Sequence, residues 1–219
     1  KMQLESLAQS GFDPLSRTTR FMLTEEAHHM YVGQSGIARV LQNTCQIMAK
    51  NQIDDPFRID EIRELGAIDL PLIQRKVNFH FSVSLDLFGS EISTNAANFF
   101  DAGLKGRYKE LDIDDDHRLV DALYPVLKVI DGRIQSIDSP ALPALNTRLR
   151  DDYVRECARG IERWNLVMAK AGIEFKLKLP HIAFNRAIGE FSSVEASPEG
   201  HLMQQKEWQQ QRDHYLPTT

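Results

Sequence analysis

The sequence predicts a mostly α-helical protein with one small β-hairpin. Apolar residues recur at helical spacing through long runs, above all in "RTTRFMLTEEAHHMYVGQSGIARVLQNTCQIMAK". The helix ends carry the expected punctuation, with Asp13-Pro14 and Asp69-Leu70-Pro71 as starts and Gly172 as a stop. One pair, Asp131-Gly132, stands between β-branched runs, which is a hairpin signal.

The elements follow in order. Asp13 is the expected N-cap of a long helix reaching about Met48, with Pro14 in its first turn. "DDPFRID" connects it to a short helix near Asp60 to Leu65. Asp69 opens a further helix that runs to Gly89, and Ser90 is the expected cap of the next, "SEISTNAANFFDAGL". A basic loop, "KGRYKE", and an acidic one, "LDIDDDHR", come next. The hairpin follows, built on Val126, Val129, Ile134 and Ile137. Leu145 to Ala171 forms a long amphipathic helix, "FKLKLPHIAF" is an extended segment, and the tail "MQQKEWQQQRDHY" is a polar helix. Residues 1–111 are assigned to a helical bundle and 112–219 to a C-terminal region packing on it.

The chain has 219 residues, 42% hydrophobic and 26% charged, with net charge −5. That balance gives no footprint for a nucleic-acid partner. No apolar run reaches the ~18 residues of a membrane span, and the opening residues do not read as a signal peptide. Cys45 and Cys157, far apart within helical runs, suit reduced thiols and a cytoplasmic location.

The chemistry concentrates in "TEEAHH". A helix returns to one face after three or four residues, so Glu-x-x-His sets a carboxylate beside an imidazole. Helical bundles that hold two irons use this device: two helices give a Glu each and two others give Glu-x-x-His. Two pairings are open, Glu25 with His28 and Glu26 with His29. The face of Glu26 and His29 continues through Met22, Gly33, Ile37 and Val40, all apolar or small. The face of Glu25 and His28 continues to Arg39, which does not suit a bundle interior. Glu26 and His29 are therefore the expected metal ligands. Glu25 and His28 stand as neighbours, with His28 suited to supporting a ligand. The plain alternative is a surface hydrogen bond between Glu and His.

"SGFDPLSRTTRFMLTEEAHHMYVGQSGIARVL" resembles the second metal-ligand helix of the oxygenase component in the benzoyl-CoA epoxidase family of ferritin-like di-iron monooxygenases. "NAANFFDAGLKGRYKE" resembles the same family. The resemblance implies part of a ferritin-like bundle and a centre of two iron ions. It implies epoxidation of the aromatic ring of benzoyl-CoA with O2, using electrons from a separate NADPH-dependent reductase. It also favours substrate contact by Asn95, Asn98, Lys105 and Arg107, the last two as cations for the phosphates of coenzyme A. No Gly-rich nucleotide fingerprint occurs, so flavin and NADPH are expected on the reductase. The chain shows one convincing Glu-x-x-His where such a centre needs two. The other ligands are expected upstream of Lys1, in the N-terminal remainder of a longer protein. The rival readings are another di-iron helical oxygenase, such as a phenylacetyl-CoA-type epoxidase or a hydroxylase, and a metal-free helical binding module.

Other candidates are weaker. "DIDDDH" fails as a calcium loop, because His117 and Leu123 stand where Gly and Glu are required. Asp114 and His117 have ligand-like spacing in a polar loop and are discounted. His80 reads as a core histidine, and Phe88 and Trp164 as packing residues.

Overall fold

The computed structural model describes residues 1–104 and 122–218. Helices dominate, as the sequence predicts. In chain order the elements are α1 (Met2–Leu7), α2 (Asp13–Lys50), α3 (Ile59–Glu64), α4 (Leu70–Asp86), α5 (Thr94–Asp101), β1 (Leu123–Ile130), β2 (Arg133–Pro140), α6 (Leu145–Lys170) and α7 (Gln205–Tyr215). A short 3₁₀ turn (Glu190–Ser193) and a two-residue pair, β3 (Glu195–Ala196) with β4 (Leu202–Met203), lie between α6 and α7. The chain forms two compact units that interleave in sequence. The first is Lys1–His29, Ser84–Val154 and Arg186–Val194; the second is Met30–Val83, Arg155–Asn185 and Glu195–Thr219.

The second unit holds the larger apolar core. Leu41, Cys45 and Met48 of α2 meet Ile62 of α3, Leu70 and Ile73 of α4, and Ile161 and Met168 of α6. These positions recur every three or four residues, so each helix buries one stripe. Burying a side chain of this size contributes ~1.5–3 kcal/mol before ordering costs. Asp69 caps α4 as expected: its Oδ1 accepts the Leu72 N–H at 2.7 Å, and its Oδ2 accepts from Arg63 Nε at 2.8 Å. Gly172 ends α6 with φ +75°, a conformation that costs a glycine little. A smaller cluster joins Phe184, Trp208 and Leu216, fixing α7 by its one buried face.

The segment after α6 is not a strand. Side-chain amides hold it instead. Asn165 Nδ2 donates to the Leu177 carbonyl at 2.9 Å, while the Leu177 N–H donates to Asn165 Oδ1 at 2.8 Å. Gln74 treats Lys178 the same way, donating to its carbonyl and accepting from its N–H, both at 2.8 Å. Two side chains thus replace the neighbouring strand that would otherwise satisfy this backbone.

The first unit contains the predicted hairpin. β1 and β2 pair antiparallel, with Val129 opposite Ile134 and Ile130 opposite Arg133. Asp131 and Gly132 both have positive φ, 48° and 69°, as a two-residue hairpin turn of the favoured twist requires. A cluster of Met2, Phe88 and Leu149 with Tyr153 packs α1 and the start of α6. Beside it lies a buried charge network. Glu91 Oε1 accepts from Arg150 Nη1 at 2.7 Å, and Oε2 accepts the Glu190 N–H at 2.6 Å. Arg186 Nε donates to Asp86 Oδ1 at 2.6 Å, and its Nη1 lies 3.7 Å from Glu91 Oε1. Burial pulls the Arg150 pKa below its usual value, and Glu91 beside it pushes it back up. Such a group is worth most as an intact set, since a buried charge left without its partner is expensive.

Three local expectations change. Asp13 is the first residue of α2, not its cap, and its carboxylate accepts from Arg17 Nε at 3.0 Å. Ser90 does not cap α5, which starts at Thr94 after Ser93. The reason is Glu91: its carboxylate is held by Arg150, and its carbonyl accepts from Thr147 Oγ1 at 2.8 Å, so residues 90–93 cannot wind into the helix. His80 is exposed, not core, and meets Phe79 edge-on at 5.2 Å. Phe88 packs as expected, and Trp164 packs with its Nε1 donating to the Gln34 carbonyl at 3.1 Å.

Candidate metal-ligand pair on α2

The 38-residue α2 carries the whole "TEEAHH" stretch without a break. Its sequence permits continuous helix: no proline follows Pro14 within α2, and Thr18, Thr19 and Ser35 satisfy their hydroxyls on carbonyls three or four residues earlier. Gly33 and Gly36 would admit a Cβ freely, so neither is required by any close approach among the described residues.

Helical spacing brings Glu26 and His29 together. Glu26 Oε2 lies 3.8 Å from His29 Nδ1. Nδ1 is thus the ring nitrogen on the carboxylate side. The His29 side chain is 69% exposed and that of Glu26 35%. Glu25 and His28 are both exposed, and the His28 ring stands 6.3 Å from the His29 ring, tilted. Of the two glutamates, Glu26 is half-buried and Glu25 exposed. Stepping along the helix does not put His29 indoors.

The face predicted to point inward is largely open. Met22 is 45% exposed and Ile37 37%. Phe21, Met30, Tyr31 and Val32, on other sides of the helix, are exposed too. Exposed large apolar side chains thus occur on several sides of this part of α2, and Met22 and Ile37 are the two that share the face of Glu26 and His29. Periodicity reports which residues share a face; it cannot report whether the partner of that face is present.

The donor types suit iron, with one carboxylate oxygen and one imidazole nitrogen on one face. The set is too small to hold a metal alone. Among the described residues no group of three or more His, Cys, Asp or Glu is arranged to do so. Glu26 and His29 are two donor side chains on one helix face, and the described residues bring no third to them.

Asn95 and Asn98 lie three residues apart on α5, both exposed. Lys105 and Arg107 lie outside the described residues, as do Asp114 and His117 of the acidic loop. No helix among the described residues is long and apolar enough to cross a membrane.

Sequence reasoning missed two features. One is the Arg150–Glu91–Arg186 network, whose members lie 36 to 95 positions apart. The other is a cationic cavity in the second unit, lined in part by Lys176 and Lys178. The alternation in "FKLKLP" was its one visible signal.

No family model matches the chain. It is similar to benzoyl-CoA oxygenase component B of Aromatoleum evansii, 51% identical over 218 residues. The alignment covers 100% of this chain and 46% of that protein. The chain thus spans about half the length of the curated relative it matches.

Proposed function

We propose that this chain is part of the oxygenase component of an aromatic acyl-CoA epoxidase acting on benzoyl-CoA. The observation that carries the reading is the 51% identity along the whole chain to a protein named as a benzoyl-CoA oxygenase component. The Glu26–His29 pair agrees with it, because it offers the carboxylate and imidazole that one helix of a ferritin-like di-iron bundle contributes. The exposed apolar face around the pair agrees as well, since the remaining helices of a bundle would cover it.

In this reading Glu26 contributes negative charge that offsets a bound cation, and His29 contributes a neutral donor nitrogen through Nδ1. The two sit on one continuous helix, so their spacing is fixed without help from loops. Glu25 and His28 flank them as polar neighbours able to hold water or a ligand's outer hydrogen bond. Met22 and Ile37 dry the site once covered, which strengthens charge interactions within it. When bound, a pair of irons supplies the reduction of O2 and transfer of one oxygen atom to the ring, the chemistry that side chains cannot supply. Electrons would come from a separate NADPH-dependent reductase.

The test uses the full-length protein. Iron is measured per chain, and benzoyl-CoA consumption is followed with O2, the reductase and NADPH. About two irons per chain and O2-dependent turnover of benzoyl-CoA in preference to phenylacetyl-CoA support the reading. Preference for phenylacetyl-CoA would move the protein to a sister activity. A full-length protein without iron would make the chain a metal-free binding module, the reading that the exposed His29 favours.

A further inference from the structure

The second unit contains a cavity of about 590 Å³ among α4, the segment after α6, and α7. That size falls in the range of small-molecule sites, which run from ~300 to ~1,000 Å³. Its walls are of two kinds. Phe57, Phe175, Pro71 and Leu179 give an apolar side, with Phe57 and Phe175 in edge-to-face contact at 6.0 Å. Arg75, Lys176 and Lys178 give three permanent cations, against the single lining carboxylate of Glu199.

Among the described residues no ion pair engages Arg75, Lys176 or Lys178, and the backbone that carries the lysines is held. Arg75 Nε is buried without a hydrogen-bond partner among the described residues. Lys176 and Lys178 are exposed on either side of buried Leu177, so the two ammonium groups share a side. The Asn165 and Gln74 amides hold the backbone at Leu177 and Lys178, which fixes where those lysines emerge. His181 adds a neutral donor to the lining. Its Nδ1 accepts the Ala183 N–H at 3.1 Å, so the ring proton sits on Nε2, and burial lowers its pKa. Gly200, with φ +90°, lets the backbone approach the ring so closely that a Cβ would stand 2.7 Å from His181 Cγ. A half-buried Arg with its Nε unsatisfied, together with preset lysines, is the chemistry of a phosphate site, and aromatic faces beside it suit a flat base.

We propose that this cavity holds the phosphorylated adenosine end of a coenzyme A thioester, with Arg75, Lys176 and Lys178 toward the phosphates and the Phe57–Phe175 pair beside the adenine. The assignment rests on the acyl-CoA reading above and gives it a second anchor, separate from the Glu26–His29 pair. Remote binding of this kind holds a substrate whose reacting ring offers few polar handles.

The experiment compares full-length wild type with a Lys176→Glu/Lys178→Glu double variant, titrating coenzyme A and, separately, ATP by calorimetry. Both lysines are exposed, so far-UV circular dichroism and iron content should match wild type. The dissociation constant for coenzyme A should rise at least about tenfold, with the KM for benzoyl-CoA rising alongside. Wild-type affinity for coenzyme A in the variant overturns the assignment, as does tighter binding of ATP than of coenzyme A to the wild type. The two proposals fail separately. Lysine-dependent coenzyme A binding without oxidation of benzoyl-CoA would sink the oxygenase reading alone. Turnover with unchanged KM in the variant would sink the cavity assignment alone.

Discussion

Gly189→Ala should be among the most damaging single-methyl additions in the chain. Gly189 sits at φ 86° and ψ −157°, a region open essentially only to glycine. A Cβ there would stand 2.2 Å from Glu91 Oε2 and 3.0 Å from its Cδ. The carboxylate cannot swing aside cheaply, because Arg150 Nη1 and the Glu190 N–H hold it at 2.7 and 2.6 Å. The backbone alone should cost ~1–3 kcal/mol. Forcing a buried carboxylate off its cationic partner costs ~3–5 kcal/mol when the pair is broken outright. The two costs overlap, since either the backbone or the carboxylate can yield. A loss of about 3–5 kcal/mol is expected, which in a protein of this size lowers Tm by about 10 °C. Thermal melting and urea unfolding of Gly189→Ala, Glu91→Ala and the double variant form the assay. The double variant should be clearly less destabilised than the sum of the singles, because without the Glu91 side chain the new methyl has room. A loss below ~1 kcal/mol, or strict additivity, would refute the clash.

Other predictions follow from the same geometry. Asn165→Leu strands the Leu177 N–H and carbonyl, and should cost ~1–3 kcal/mol in urea unfolding; an unchanged midpoint would mean that water replaces the amide. His181 has a folded pKa below its usual 6.5, so the unfolded chain binds the proton more readily. Its stabilisation is complete above that unfolded value and is lost as pH falls from there through the lower folded pKa. His181→Asn keeps an acceptor for Ala183 and should flatten this dependence in Tm measured against pH; an unchanged slope would assign it to other groups. The Lys176→Glu/Lys178→Glu variant should lose coenzyme A affinity about tenfold or more by calorimetry.

Local signals in the sequence proved legible. Asp131-Gly132 specifies its own turn, and Asp69 caps the helix that begins one residue later. The three-residue step from Glu26 to His29 is a property of any helix, so their closeness needed no tertiary knowledge. Contacts between distant segments were not legible. Ser90 looks like a cap until Arg150, 60 positions on, takes the side chain of its neighbour Glu91. Asp13 precedes a proline as caps do, yet the helix already includes it, a shift of one residue that sequence does not resolve. His80 sits between two phenylalanines and still faces water, because neighbours in sequence do not define a core. The lysines of "FKLKLP" look like ordinary surface charge until the fold sets Arg75 and two aromatic rings around them.

The iron content of the full-length protein, measured for wild type, Glu26→Ala/His29→Ala and Glu25→Ala/His28→Ala, tests the central claim most directly. The wild type and the Glu25/His28 variant should each retain about two irons per chain, while the Glu26/His29 variant should lose them. Full iron in the Glu26/His29 variant, or loss confined to the Glu25/His28 variant, would contradict it.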